Sequence, residues 1–300
     1  MQLARAAGNI IHSLTDETHN ILWCPSNSLL DCAFFETEYR FYMKPLPAQT
    51  HMANPYNNRA ITLQGPFFNY QHYALMVSSN WNDNAASREA HVRHISRVLI
   101  FNNYRGNIKR EDWIILQQKN ASITKICMAD AYAQSWQLNN LNVIQYGVPL
   151  DILNTEEIDH QQDVLIHDTS MLGKQLKMQF EKEGIKTTLV EHFRSFEQFN
   201  DTVKKHKVFL TTALNGNFEA LCATAIGASV VVTNSVANKT PCMTSQNDGS
   251  KMLETVKELM GREEDTDSER QFLVDKYPFD KFQQSVTDIF NTTIREAYIA

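Results

Sequence analysis

The sequence predicts an α/β protein made of Rossmann-like parallel sheets in two domains, and three observations carry that expectation. From about residue 160 onward, short apolar runs alternate with helical runs over short connections, the rhythm of a parallel sheet covered by helices on both faces. The chain has 300 residues, a length at which single cores stop growing and chains divide. Its composition, 43% hydrophobic and 21% charged, is that of a folded globular protein.

The second half reads element by element. Asp163 to His167 (DVLIH) is an almost wholly apolar strand, as expected where both faces are covered. Leu172 to Glu183 is a helix with Leu172, Leu176 and Phe180 on one side, stopped by Gly184. Thr187 to Glu191 is a second strand, and Ser195 caps a helix ending near Lys205. Lys207 to Thr212 is a third strand; the turn Asn215-Gly216-Asn217 opens a helix from Phe218 to Ile226, closed by Gly227. Ser229 to Thr233 is a fourth strand. In the first half, Asn20 to Cys24, Tyr73 to Ser78, Arg97 to Phe101, Ser122 to Met128 and Asn142 to Gln145 are candidate strands of a second Rossmann-like sheet. The acidic, aperiodic stretch from Pro149 to Gln162 links the halves.

Several function classes are disfavoured at once. With 28 basic and 34 acidic residues the net charge is −6, so no global positive field draws the chain to nucleic acid. Five scattered cysteines without a CxxC pair read as reduced, cytoplasmic thiols. Cysteines and histidines never cluster at ligand spacing, so no metal site is expected; His91 and His94 read as a surface pair. The longest uncharged stretch, Ala220 to Asn238, is too polar to span a membrane, and the first residues lack the apolar core of a secretory signal. Neither GxGxxG nor GxxxxGK[ST] occurs.

Open parallel sheets bind ligands outside the carboxyl ends of their strands. Three such ends carry polar residues: His167-Asp168-Thr169-Ser170, Glu191-His192-Phe193-Arg194 and Asn215-Gly216-Asn217. The last reads either as a turn with a helix cap or as a phosphate seat of backbone N–H groups at a helix start. Lys174 and Arg194 read either as solvated surface or as charge for a pyrophosphate.

NGNFEALCATAIGASVVVTN (Asn215 to Asn234) resembles the donor-site helix and following strand of retaining glycosyltransferases of the GT-B fold, the family-4 type. ICMADAYAQSWQLNNLNVIQYGVPLDIL (Ile126 to Leu153) resembles the segment ending that family's first domain. KMLETVKELM (Lys251 to Met260) resembles the helix after the donor loop, and ERQFLVDKYPFDKFQQSVTDIF (Glu269 to Phe290) the closing helices. The resemblance spans roughly residues 120 to 300. It implies an acceptor-side domain over 1–150, a donor domain over 151–278, and a C-terminal helix over 279–300 returning to the first domain across a cleft.

It further implies transfer of a sugar from a nucleotide-sugar, UDP-sugar being the first expectation, to a hydroxyl, with retention and no tightly held metal or cofactor. The donor would lie against His167, Asp168, Lys174, Arg194, Asn215, Gly216 and Asn217. The family's two glutamates would fall near Leu214 and at Cys222; Glu219, one turn before Cys222, would reach the ribose instead. No general acid, base or nucleophile is identified. Ser26, Asn27, Asn103, Tyr104 and Arg105 would face the acceptor.

Arg88, Arg93, Arg97, Arg105, Lys109 and Arg110 surround the single acid Glu89, with Tyr104 and Trp113 interleaved. This reads either as a solvated helix face or as a phosphate-backbone surface. Small glycosyltransferases of this build occur among bacteriophages, some decorating hydroxymethylated pyrimidines, so modified DNA is a candidate acceptor. The competing expectations are a GT-B-like protein that binds nucleotide or nucleic acid without transfer, and an epimerase or phosphorylase on the same fold.

Overall fold

The computed structural model describes residues 20–24, 29–43, 61–62, 72–79, 84–118, 123–153, 162–168, 170–262 and 266–299. The first sheet comprises β1 (Asn20–Cys24), β2 (Arg40–Met43), β3 (Ile61–Thr62), β4 (Leu75–Ser78), β5 (Ser96–Phe101), β6 (Ile123–Cys127) and β7 (Leu141–Val143). Its order is β3-β2-β1-β4-β5-β6-β7 with every pairing parallel. Helices α1 (Leu29–Phe35), α2 (Asn84–Val92), α3 (Arg110–Gln118) and α4 (Asp130–Trp136) belong to this half.

The second sheet comprises β8 (Gln162–His167), β9 (Thr187–Val190), β10 (His206–Thr211), β11 (Ser229–Val232) and β12 (Thr244–Ser245), ordered β12-β11-β10-β8-β9 and again parallel. Its helices are α5 (Met171–Lys182), α6 (Phe196–Val203), α7 (Asn217–Ile226), α8 (Met252–Met260) and α9 (Thr266–Lys276). The α/β class and the paired Rossmann-like sheets expected from the sequence are both present.

Local chemistry explains these boundaries. Ser170 and Ser195 cap α5 and α6 by accepting from Leu172 N and Gln198 N, each at 3.1 Å. Gly227 ends α7 at φ 97°, where a side chain is strained. The strands β8, β10 and β11 bury nearly every residue, which is why they read as unbroken apolar runs.

A last helix, α10 (Phe279–Ile299), returns to the first sheet as expected. Phe282 and Phe290 lie 5.2 and 6.4 Å from the Phe34 ring, and Tyr39 donates to Asn291 Oδ1 at 2.9 Å. Gly147 is where α10 crosses the outgoing chain: a Cβ there would sit 2.4 Å from Phe282 Cβ and 2.8 Å from Phe279 Cα. The two crossings between the sheets are stitched together. Val148 N donates to Tyr277 O at 3.0 Å, and the Arg270 guanidinium donates to the carbonyls of Leu150, Leu153 and Ala225 at 2.7–3.1 Å.

Candidate functional site

Each sheet reverses its strand order at one point, and ligands of open parallel sheets sit outside the carboxyl ends of the strands there. In the first sheet the reversal lies between β1 and β4; in the second it lies between β8 and β10. The loops following β8 and β10 are therefore the ones the topology selects, and both were singled out from sequence.

The carboxyl edges of the two sheets are joined by named contacts. Leu29 N, at the start of α1, donates to Glu219 Oε1 at 2.8 Å. Tyr132 of α4 donates its hydroxyl to Asn217 Oδ1 at 3.0 Å. The same hydroxyl lies 3.1 Å from Ser235 O and 3.3 Å from Ala237 N. Asn217 Oδ1 also accepts from Ala237 N and Asn238 N, while its Nδ2 donates to Asn238 O at 2.9 Å. Cys32 Sγ donates to Arg194 O at 3.6 Å, which places the loop after β9 against α1. Phe218 of α7 packs on Tyr146 at 5.8 Å, carrying the apolar core across the seam.

Burial sets the electrostatics here. Desolvation raises the hydroxyl pKa values of Tyr132 and Tyr146, so both stay protonated and neutral. Cys222, fully buried beside Glu219 and Cys32, is raised likewise and stays a thiol. His167, at the end of β8, has Nδ1 3.2 Å from Thr211 Oγ1 and lies between the Phe193 and Phe209 rings. Burial lowers its pKa to about 4 and holds the imidazole neutral.

At the β8/β10 reversal the Asp168 carboxylate, 2% exposed, accepts from Thr212 Oγ1 and from Ser170 N. Gly173 of α5 packs on it so closely that a Cβ would stand 2.6 Å from Asp168 Cβ. The first turn of α5 is thus served by the chain's own carboxylate, and an approaching phosphate would meet negative charge there.

The structure brings the expected donor residues to one edge but divides their roles. Lys174 and Arg194 are exposed and Asn215 is partly exposed at that edge. Gly216 passes close over β10, where a Cβ would stand 2.2 Å from Thr211 Oγ1. Asn217 and Glu219, expected against the diphosphate and near the ribose, have buried side chains. They are 0% and 1% exposed, with Glu219 Oε1 bonded to the first domain and the Asn217 amide to Tyr132 and the loop after β11. His167 and Asp168, 3% and 2% exposed, likewise serve the loops.

In the loop after β5, Asn103 O accepts from Trp136 Nε1 at 2.8 Å, and Arg105 N donates to Ser135 Oγ at 2.8 Å. The Tyr104 ring meets Tyr132 edge-on at 4.9 Å. These contacts seat the loop after β5 on α4, at the seam. Ser26 and Asn27 lie outside the described residues.

The six basic residues do not form one surface. Arg97 is 4% exposed and donates to Ser78 Oγ at 3.0 Å, because it points into the first sheet's core at the amino end of β5. Arg93 is paired with Glu89 at 2.6 Å and lies over Tyr73. Arg105, Lys109 and Arg110 are exposed at the opposite, carboxyl end of β5, roughly 17 Å of strand away; Arg88 is exposed on α2.

Sequence reasoning passed over Tyr132, Tyr146 and Leu29. The signal for Tyr132 was present: a large polar-tipped ring among small residues in the first turn Asp130-Ala-Tyr-Ala of a helix, directly after a strand. Among the described residues no group of three or more His, Cys, Asp or Glu forms a metal-ligand cluster. Nor, among them, is any helix long and apolar enough to cross a membrane.

Comparison with solved structures places this architecture. A glycosyltransferase from Rickettsia africae ESF-5 superposes with a TM-score of 0.63 at 8% identity, covering 92% of this chain and 99% of the other. A sucrose-phosphate synthase from Thermosynechococcus elongatus superposes with a TM-score of 0.62 at 8% identity, with the same coverage. The chain has the GT-B fold. At that identity the likeness is one of fold alone. No protein-family model and no curated protein matches the sequence.

Proposed function

We propose that this protein is a glycosyltransferase that moves a sugar from a nucleotide-sugar donor to a hydroxyl acceptor held between the two sheets. The observation that carries the reading is the apposition of the two carboxyl edges, linked by Glu219–Leu29 and Tyr132–Asn217. It forms on a fold shared along nearly its whole length with a glycosyltransferase. We assign 1–150 to the acceptor side, 151–278 to the donor side and 279–300 to the returning helix.

Breaking the bond from an anomeric carbon to a nucleoside diphosphate builds negative charge on the leaving group. Stabilising that charge requires cations and N–H dipoles. The amino end of α7 beside Asn215 and Gly216, with the exposed Arg194 and Lys174, is the part of the edge suited to this task. Asp168 directs the diphosphate away from the start of α5. A UDP-sugar, retention of configuration and catalysis without a bound metal are the finer form of the proposal. For the acceptor, the exposed Arg105, Lys109 and Arg110 with Tyr104 are what remains to support a DNA backbone.

A second reading is favoured by one observation. Glu219, the best replacement for the family's ribose-binding glutamate, is hydrogen-bonded to the first domain, which suits a GT-B protein that binds nucleotide without transfer. Calorimetric titration with nucleoside diphosphates, paired with a donor-hydrolysis assay, separates the two. Binding with release of sugar supports transfer; binding without release supports the second reading; no binding to any nucleotide removes both.

A further inference from the structure

Away from the seam, a cavity of about 10 Å³ lies where the carboxyl end of α7 meets α9, lined by Thr224, Gly227, Ala228, Val230, Cys242, Thr266 and Glu269. That volume holds one water-sized species. Glu269 is 4% exposed, and its Oε2 has no hydrogen-bond partner among the described residues. A buried carboxylate oxygen left in this way costs free energy unless something neutralises or bonds it.

The surroundings make the debt electrostatic as well as one of hydrogen bonding. The cavity sits at the negative end of the α7 dipole, marked by the left-handed Gly227. Thr224 Oγ1 spends its proton on Ala220 O at 3.1 Å, leaving only lone pairs for the cavity. Thr266 lies one helical turn before Glu269 on the same face, and its Oγ1 packs against Gly227, 2.8 Å from where a Cβ would be. The nearby Arg270 directs its guanidinium to the carbonyls of Leu150, Leu153 and Ala225.

We propose that this cavity is a site for one dehydrated monovalent cation of sodium size, held by Glu269 Oε2 with the hydroxyl oxygens of Thr224 and Thr266. A water molecule would bond the oxygen but bring no positive charge to the carboxylate. Magnesium keeps several of its waters and demands six ligands, for which the volume is too small. Hard oxygen donors with a single carboxylate suit a singly charged hard ion. The site would tie the end of α7 to α9 and so hold the donor-side domain together, independently of any transfer chemistry.

Thermal unfolding in sodium chloride and in choline chloride of equal ionic strength tests this. The expected result is a midpoint about 2 °C higher in sodium for the wild type, with no difference between the salts for Glu269→Gln. Equal wild-type midpoints in the two salts, or a sodium effect that survives in Glu269→Gln, overturns the proposal. Should Glu269→Gln fail to fold, wild-type crystals soaked in thallium(I) acetate supply the second readout. An anomalous peak beside Glu269 Oε2 supports the site, and its absence overturns it.

Discussion

Glu219 Oε1 and Leu29 N, 190 residues apart in sequence, are 2.8 Å apart across the seam between the two sheets. The carboxylate accepts from the first N–H of a helix in the other domain, the end at which negative charge is favoured. Removing it with Glu219→Ala would take the acceptor away from Leu29 N in a buried setting. The unfolding free energy should fall by about 1.5–3 kcal/mol, read by urea denaturation, and Glu219→Gln should lose less. A wild-type midpoint in the Ala variant would show that the bond contributes nothing to the seam.

Tyr132 and Asn217 form the second link. Tyr132→Phe keeps the ring on Tyr104 but removes the hydroxyl from Asn217 and Ser235. We expect a loss of about 1–3 kcal/mol. In a double-mutant cycle with Asn217→Ala, the coupling should be at least about 0.5 kcal/mol. Additive losses would mean that the two side chains act separately.

His167 makes stability depend on pH. Its native pKa is lowered from 6.5 to about 4, so between those values the unfolded chain binds the proton more readily than the native one. This contribution is present in full above about pH 6.5 and is lost as the pH falls toward 4, by up to about 3 kcal/mol. His167→Asn should flatten the slope of stability between pH 6.5 and 4; an unchanged slope would assign it to other groups.

Gly147→Ala tests the returning helix. The added methyl would meet Phe282 Cβ at 2.4 Å and the Phe279 backbone at 2.8 Å, so α10 must shift or the chain lose about 1–3 kcal/mol. Thermal unfolding should show a lower midpoint than the wild type. An equal midpoint would mean that the helix crossing yields without cost.

The second sheet was legible because its signals are local. Each of β8, β10 and β11 carries a compact apolar run between polar turns, and Ser170, Ser195, Gly184 and Gly227 punctuate the helices between the strands. The first half hid its elements for the opposite reason. All seven residues of α1, Leu-Leu-Asp-Cys-Ala-Phe-Phe, are buried, so no amphipathic stripe marks it as a helix. The four-residue β2 and the two-residue β3 and β12 carry too few positions to show a period. At the site, sequence order located the loops beside the strand-order reversal but not the direction of their side chains. Asn217 read as a donor contact from its place at a helix start and Glu219 from the family resemblance, whereas the partners of their side chains come from residues 85 and 190 positions away. Arg97 read as surface because a charge inside a sheet core is rare without a polar partner, and Ser78 is 19 residues earlier.

Arg194 is an exposed cation at the carboxyl edge of the second sheet, and its backbone touches α1. If it grips the leaving diphosphate, Arg194→Ala should weaken nucleoside diphosphate binding about tenfold or more in a calorimetric titration, as for loss of a charge-assisted hydrogen bond. It should leave the unfolding midpoint near that of the wild type.

Release of nucleoside diphosphate from a panel of nucleotide-sugars, followed chromatographically with and without hydroxyl acceptors, tests the proposed activity most directly. The account predicts that at least one donor is turned over with loss of its sugar, and that Arg194→Ala slows this turnover. A panel in which no donor is cleaved by a folded protein would contradict it.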